Sequence, residues 1–232
     1  MASSDAVWHV FEGNLTMSLV NELQDSAEND DVVNVLRKAK RLASKLDRQD
    51  IAEWLEAEQS GYASGQDVPE YRMVATRLAY NTNGLIPAGY GRLMNGVQQL
   101  PASYLDIPIP VIDSISTVLT WIEQFVDIVS FPIPEGTEVS RAIRRTFRFP
   151  PMVADQITFL YHLNGSQIKA IPERIKDKVL DWALALERAG VTGEGISFSK
   201  EEKRIADSVT FNITGSTIGQ LTNSGINRRI GK

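Results

Sequence analysis

The sequence predicts a mainly α protein with a small β element in its middle. Amphipathic helical spacing dominates residues 14–60 and recurs through residues 111–208. Between them, residues 62–110 gather Gly, Pro, Asn and Tyr, and the helical period disappears. At the C-terminal end, residues 209–232 turn to β-branched residues, Asn, Gly and Ser. These shifts divide the chain into an N-terminal helical unit (1–62), a β- and loop-rich segment (63–110), a helical domain (111–208) holding a long core helix at 167–189, and a β-prone Asn/Gly tail (209–232).

Residues 14–28, NLTMSLVNELQDSAE, place Leu15, Leu19, Leu23 and Ala27 at four-residue intervals behind Asn14, which predicts a first helix with Asn14 as its N-cap. NDDVVNVLRKAKRLASKL repeats the logic: Val32, Val35, Leu36, Ala39, Leu42, Ala43 and Leu46 share one side, and the exposed side is basic. Asp30 and Asp31 precede it and suit the positive end of its dipole. A third helix follows, with Ile51, Trp54, Leu55 and Glu58 marking a face and Gly61 closing it. Short loops between the three predict neighbours packed antiparallel or at an angle. The third helix is acidic where a DNA-recognition helix is basic, which argues against a helix-turn-helix reader.

RMVATRLAY and RLMNGVQQL read as strands flanking a loose Gly-rich turn, and LDIPIPVI reads as an extended linker into a helix near Val111. The widest apolar stripe comprises Ile112, Ile115, Val118, Leu119, Ile122, Phe125, Val126 and Val129. It predicts a core or interface helix. Asp113, Glu123 and Asp127 make this run a poor bilayer span. ITFLYHL fits either a helix or a buried strand. In SQIKAIPERIKDKVLDWALALERAG, Ile168, Ile171, Ile175, Val179, Trp182 and Leu186 form a core-facing stripe capped by Ser166 and Gly190. Pro172 either kinks this helix or moves its start to about Ile171. Ser199 with Glu202 forms a capping box before a short last helix.

The chain's 232 residues suffice for one sizeable domain or two small ones. It has no cysteine, which excludes a disulfide framework, a thiolate zinc site and a cysteine nucleophile. With 24 basic and 29 acidic residues the net charge is -5, so binding to nucleic acid or anionic lipid requires a local patch. MASSDAVWHVFEG lacks the basic region and apolar core of a signal peptide, so no export is expected. His9 and His162 stand apart from any partner at metal-ligand spacing, and no phosphate-binding glycine loop or nucleophile elbow occurs. No catalytic residue, cofactor or metal ligand is therefore assigned, and activity as an enzyme on its own is not expected.

Two stretches are candidates for binding. Arg141, Arg144, Arg145 and Arg148 gather within about two helical turns. They form either a solvated face with local ion pairs or a phosphate contact for nucleotide or nucleic acid. The tail segment around Phe211, Asn212, Ile213, Gly215, Ile218, Gly219 and Gln220 is almost uncharged and free of Pro. It is suited to pairing with another copy of itself or with a sheet edge, to folding back on its own domain as a hairpin, or to remaining a disordered tail.

The residue order from LVNELQDSAENDDVVNVLRKAKRLASKL through DIAEWLEAEQSGY to VPEYR resembles the AbiTii domain of bacterial abortive-infection proteins. The resemblance is carried by Glu22, Leu23 and Gln24; by Leu36 to Ala39 with Leu42, Ala43 and Leu46; by Trp54; and by Gly61, Tyr62 and Pro69 to Arg72. IPERIKDKVLDWALALERAGVTGEG is also similar to a downstream helix of that family. The resemblance implies a cytoplasmic antiphage defence protein whose action stops phage spread at the expense of the cell. It implies no catalytic mechanism. The expected partners are further copies of the chain, forming a homo-oligomer, and a protein encoded nearby or a phage component. Nucleic acid is the alternative partner, and membrane disruption by the apolar helix the remaining one.

Overall fold

The computed structural model describes residues 17–89, 92–99, 107–124, 128–147, 156–193 and 197–211. Its first three helices are α1 (Leu19–Asn29), α2 (Val32–Lys45) and α3 (Gln49–Ser60). Ser18 caps α1 by accepting from the Asn21 N–H at 3.2 Å, and the Asp31 carboxylate caps α2 by accepting from Val33 and Asn34 at 3.0 Å. Residue 14, the expected first cap, lies outside the described residues. The apolar stripe of α2 is wholly buried, as its spacing predicts.

A 3₁₀ turn at Glu70–Arg72 leads into the sheet. Its strands are β1 (Met73–Gly89), β2 (Arg92–Gln99), β3 (Ile107–Pro110), β4 (Ile128–Pro132) and β5 (Ile157–Asn164). All pairings are antiparallel, in the order β2-β1-β5-β4, with β3 beside the first residues of β1. The stretch expected to be a loose turn is mostly strand: β1 runs through Gly89, with register irregularities between Thr82 and Ile86 and between Pro87 and Gly89. The expected linker LDIPIPVI supplies β3, where Pro108 and Pro110 stand opposite Ala75 and Met73. ITFLYHL is a strand, β5.

The remaining helices are α4 (Ile115–Gln124), α5 (Glu138–Phe147), α6 (Gly165–Arg188) and α7 (Lys200–Ser208). Helices exceed strands among the described residues, so the fold is mainly α. The apolar stripe from 112 to 129 does not stay on one helix. α4 stops at Gln124, and Val129 instead pairs with Leu163 of β5. The β-branched pair Ile128 and Val129 suits a pleated surface, and Pro132 halts any return to helix.

α6 is the longest helix, and its predicted stripe, Ile168, Ile171, Ile175, Val179, Trp182 and Leu186, is at most 1% exposed. It starts directly from β5, capped by Asn164, which accepts from the Ser166 N–H at 2.9 Å, rather than by Ser166. Pro172 lies inside it, so the helix neither begins near Ile171 nor stops at the proline. α1, α2 and α4 pack against it. One apolar core joins these helices to the sheet face bearing Val74, Val129 and Leu163, and a second cluster seats Ile143 of α5 on Leu78, Ile157 and Phe159.

The loop after α6 returns to the beginning of the fold. Leu19 and Val20 donate their N–H groups to the carbonyls of Gly193 and Thr192 at 3.2 Å. Glu202 of α7 completes its capping box with Ser199 and also accepts from the N–H groups of Thr192 and Gly193. Among the described residues, no helix is long and apolar enough to cross a membrane.

Candidate functional site

Three polar or aromatic assemblies stand out, and the first is buried. Arg72 and Glu58 are both fully shielded from solvent. The Arg72 guanidinium donates to both Glu58 oxygens, and its remaining nitrogen donates to the carbonyls of Val111 at 2.9 Å and Asp113 at 2.8 Å. Tyr62 and Tyr71 each donate a phenolic hydrogen bond to Glu58 Oε1 at 2.6 Å, and Tyr71 accepts from Trp54 Nε1 at 3.0 Å. Burial, followed by the adjacent Glu58 carboxylate, pushes both phenols far above their ordinary range.

Gly61 sets the geometry of this clasp. Its φ of +94° suits glycine, and an added Cβ would lie 2.9 Å from the Ile112 carbonyl oxygen. The next residue, Tyr62, donates its N–H to that same oxygen at 2.7 Å. Tyr62, Tyr71 and Arg72 therefore converge on Glu58, with Trp54 joined through Tyr71, fastening α3 to the entry of β1 and to the segment before α4. The phenolic protons and the guanidinium are engaged within the protein, so the clasp is built to hold these elements together.

The second assembly is the aromatic seat of Phe211. Its ring lies 5.0 Å from that of Trp54 and 6.2 Å from that of Trp182, joining α3, α6 and the segment after α7. Arg48 secures the same segment by donating from Nη1 to the carbonyls of Ala206 at 2.5 Å and Val209 at 2.8 Å. Its other nitrogens pair with Asp50 at 2.6 and 2.8 Å, which holds the Asp50 carboxyl below its usual range. Of the candidate assembly residues, only Phe211 is described, and it packs on the chain's own core. Asn212, Ile213, Gly215, Ile218, Gly219 and Gln220 lie outside the described residues.

The third is the arginine helix α5. Arg141 and Arg145 are exposed, with Arg145 Nε donating to the Arg141 carbonyl at 3.3 Å. Arg144 pairs with Glu135 at 2.7 Å, and its guanidinium lies 5.1 Å from the centre of the Phe159 ring. Arg148 falls outside the described residues. Helix α5 thus brings three of the four arginines together, with one already engaged to a carboxylate.

His162, on β5, is 9% exposed, and neither ring nitrogen has a hydrogen-bond partner among the described residues. Burial lowers its pKa from the ordinary histidine value. No group of three or more His, Asp or Glu able to hold a metal occurs among the described residues. Local sequence gives little sign of Arg48 or of the Phe211 seat, because their partners are remote: Arg48 and Ala206 are 158 positions apart.

A family model described as AbiTii covers residues 18–211. No curated protein and no solved structure matches the chain.

Proposed function

The chain belongs to the AbiTii family, whose name carries an abortive-infection role in defence against phage, and on that premise we propose that it acts by self-assembly, with partner binding as its further mode. The observation that supports this reading is the seating of Phe211 between Trp54 and Trp182. That seat fixes the point from which the almost uncharged segment 212–220 departs. A short polar and β-branched segment leaving a fixed anchor is suited to pairing with the same segment of another copy, because the anchor limits the entropy lost on association. The working compartment in this reading is the bacterial cytoplasm. A phage component or a protein encoded nearby would act as trigger or target.

The test is light scattering on the full chain and on a chain ending at Phe211, which keeps the aromatic seat, alongside phage plaque counts on cells expressing each. Self-assembly predicts a larger mass for the full chain and joint loss of mass and protection on truncation. Equal masses, or protection retained by the truncated chain, would dismiss the tail as the assembling element. The exposed Arg141 and Arg145 favour a second reading, in which α5 contacts a phosphate-bearing partner. Steep loss of binding to single-stranded RNA with rising salt, and its abolition by neutralising both arginines, would support that contact.

A further inference from the structure

Helix α2 carries a second basic stripe, separate from α5 and set in a concavity. Arg37, Lys40 and Arg41 stand at helical spacing on one face, followed by Ser44 one turn on. They line an open groove of about 650 Å³ whose lining also includes Gln59 of α3 and Ile115 and Ser116 at the start of α4. The half-buried Val33 gives it an apolar side, with Ile115 buried beneath the lining.

The cations have only weak competitors. Lys40 pairs with Glu56, and Arg41 pairs with Glu22 at 3.1 Å, yet all four side chains are at least 37% exposed. Arg37 is exposed and makes a 3.4 Å contact with Asn34 Oδ1. Exposed pairs of this kind contribute at most about 1 kcal/mol, so a ligand carrying several negative charges can displace them. The groove also receives the first turn of α4, where the helix dipole is positive and Ser114 Oγ caps the Thr117 N–H at 3.3 Å. The α2 cations and the start of α4 thus border the same groove.

We propose that this groove binds a nucleoside polyphosphate, with the phosphates between the α2 stripe and the first turn of α4 and the nucleoside against the half-buried Val33. The stripe suits a chain of phosphates rather than a single one, because Arg37 and Arg41 are separated by about 6 Å along the helix axis. The mixed lining suits a ligand with an apolar ring at one end and charge at the other.

Isothermal titration of the full chain with ATP, and separately with inorganic pyrophosphate, tests this. ATP should bind more tightly than pyrophosphate, and Arg37→Gln with Arg41→Gln should weaken it by roughly tenfold or more, given the strength of bidentate phosphate contacts. Ser116→Glu, which places a negative charge at the start of α4, should weaken ATP equally and provides a variant outside α2 should the double substitution alter folding. Undetectable ATP binding, or binding unchanged in folded variants of both helices, would overturn the proposal. Equal affinity for pyrophosphate would remove the nucleoside, and tighter binding of a single-stranded RNA through the same residues would replace the small ligand with a polymer.

Discussion

Arg72 Nη2 lies 2.5 Å from Glu58 Oε2 in a place where neither side chain touches solvent. A charge pair this deeply placed is tolerated because the surrounding groups also meet it: two phenols on the carboxylate and two backbone carbonyls on the guanidinium. Removing one partner strands the other. Arg72→Met is therefore expected to lower stability by about 3–5 kcal/mol. Adding Glu58→Leu to it should restore part of that loss, and urea unfolding of the two variants checks the order.

Gly61→Ala should destabilise without touching the charge pair. Its Cβ would sit 2.9 Å from a backbone oxygen at a φ of +94°, and no flexible side chain is available to yield. A cost of roughly 1–3 kcal/mol is expected from such strain. Thermal unfolding measures it, and an unchanged melting temperature would contradict the tight approach of α3 to residues 112–114.

Phe211→Ala removes a partly buried ring from between two tryptophans. A loss of about 1–3 kcal/mol is expected, together with a change in tryptophan emission. The assembly reading adds a separate expectation: the alanine variant should form smaller particles than the intact chain at conditions where both are folded. Phe211→Leu, which keeps much of the apolar volume, should recover most of the stability.

His162 supplies a pH dependence. Its pKa in the fold is depressed by burial, so between the ordinary value near 6.5 and the lower folded value the unfolded chain binds more protons than the folded one. Stability from this group is complete above about pH 6.5 and declines as pH falls through that window. Replacing His162 with Gln should flatten the fall below about pH 6.5, as read by melting temperature. An identical slope in the variant would assign the acid sensitivity to other groups.

The helices were readable because their burial follows a local period. Ile168 through Leu186 and Val32 through Leu46 each keep one apolar side, and that side is the one buried. The capping box of Ser199 and Glu202 was equally local. The strands were less legible: β1 extends through a Gly- and Pro-bearing stretch because β2 continues alongside it, and β3 accommodates two prolines. Val129 follows helical spacing in sequence but joins β4, since pairing with Leu163 outweighs an uncompleted helical stripe. The buried clasp was visible as a string of residue identities, Trp54, Gly-Tyr and Pro-Glu-Tyr-Arg, but not as a network. Its common centre, Glu58, looked only like one more position on an amphipathic face. The α2 groove left a sign in the basic side of that helix, while Ile115 and Ser116 join its lining from more than seventy positions later.

The hydrogen bonds from Leu19 and Val20 to Gly193 and Thr192 bear on how the protein is made. A ribosome releases α1 long before it reaches residue 192, so the leading amides of that helix must wait for almost the whole matched region to be synthesised. The earliest segment is thus completed by one of the latest. A nascent chain halted before Thr192 would lack this closure, and the finished fold would be reached only once the end of α6 and the following loop had emerged.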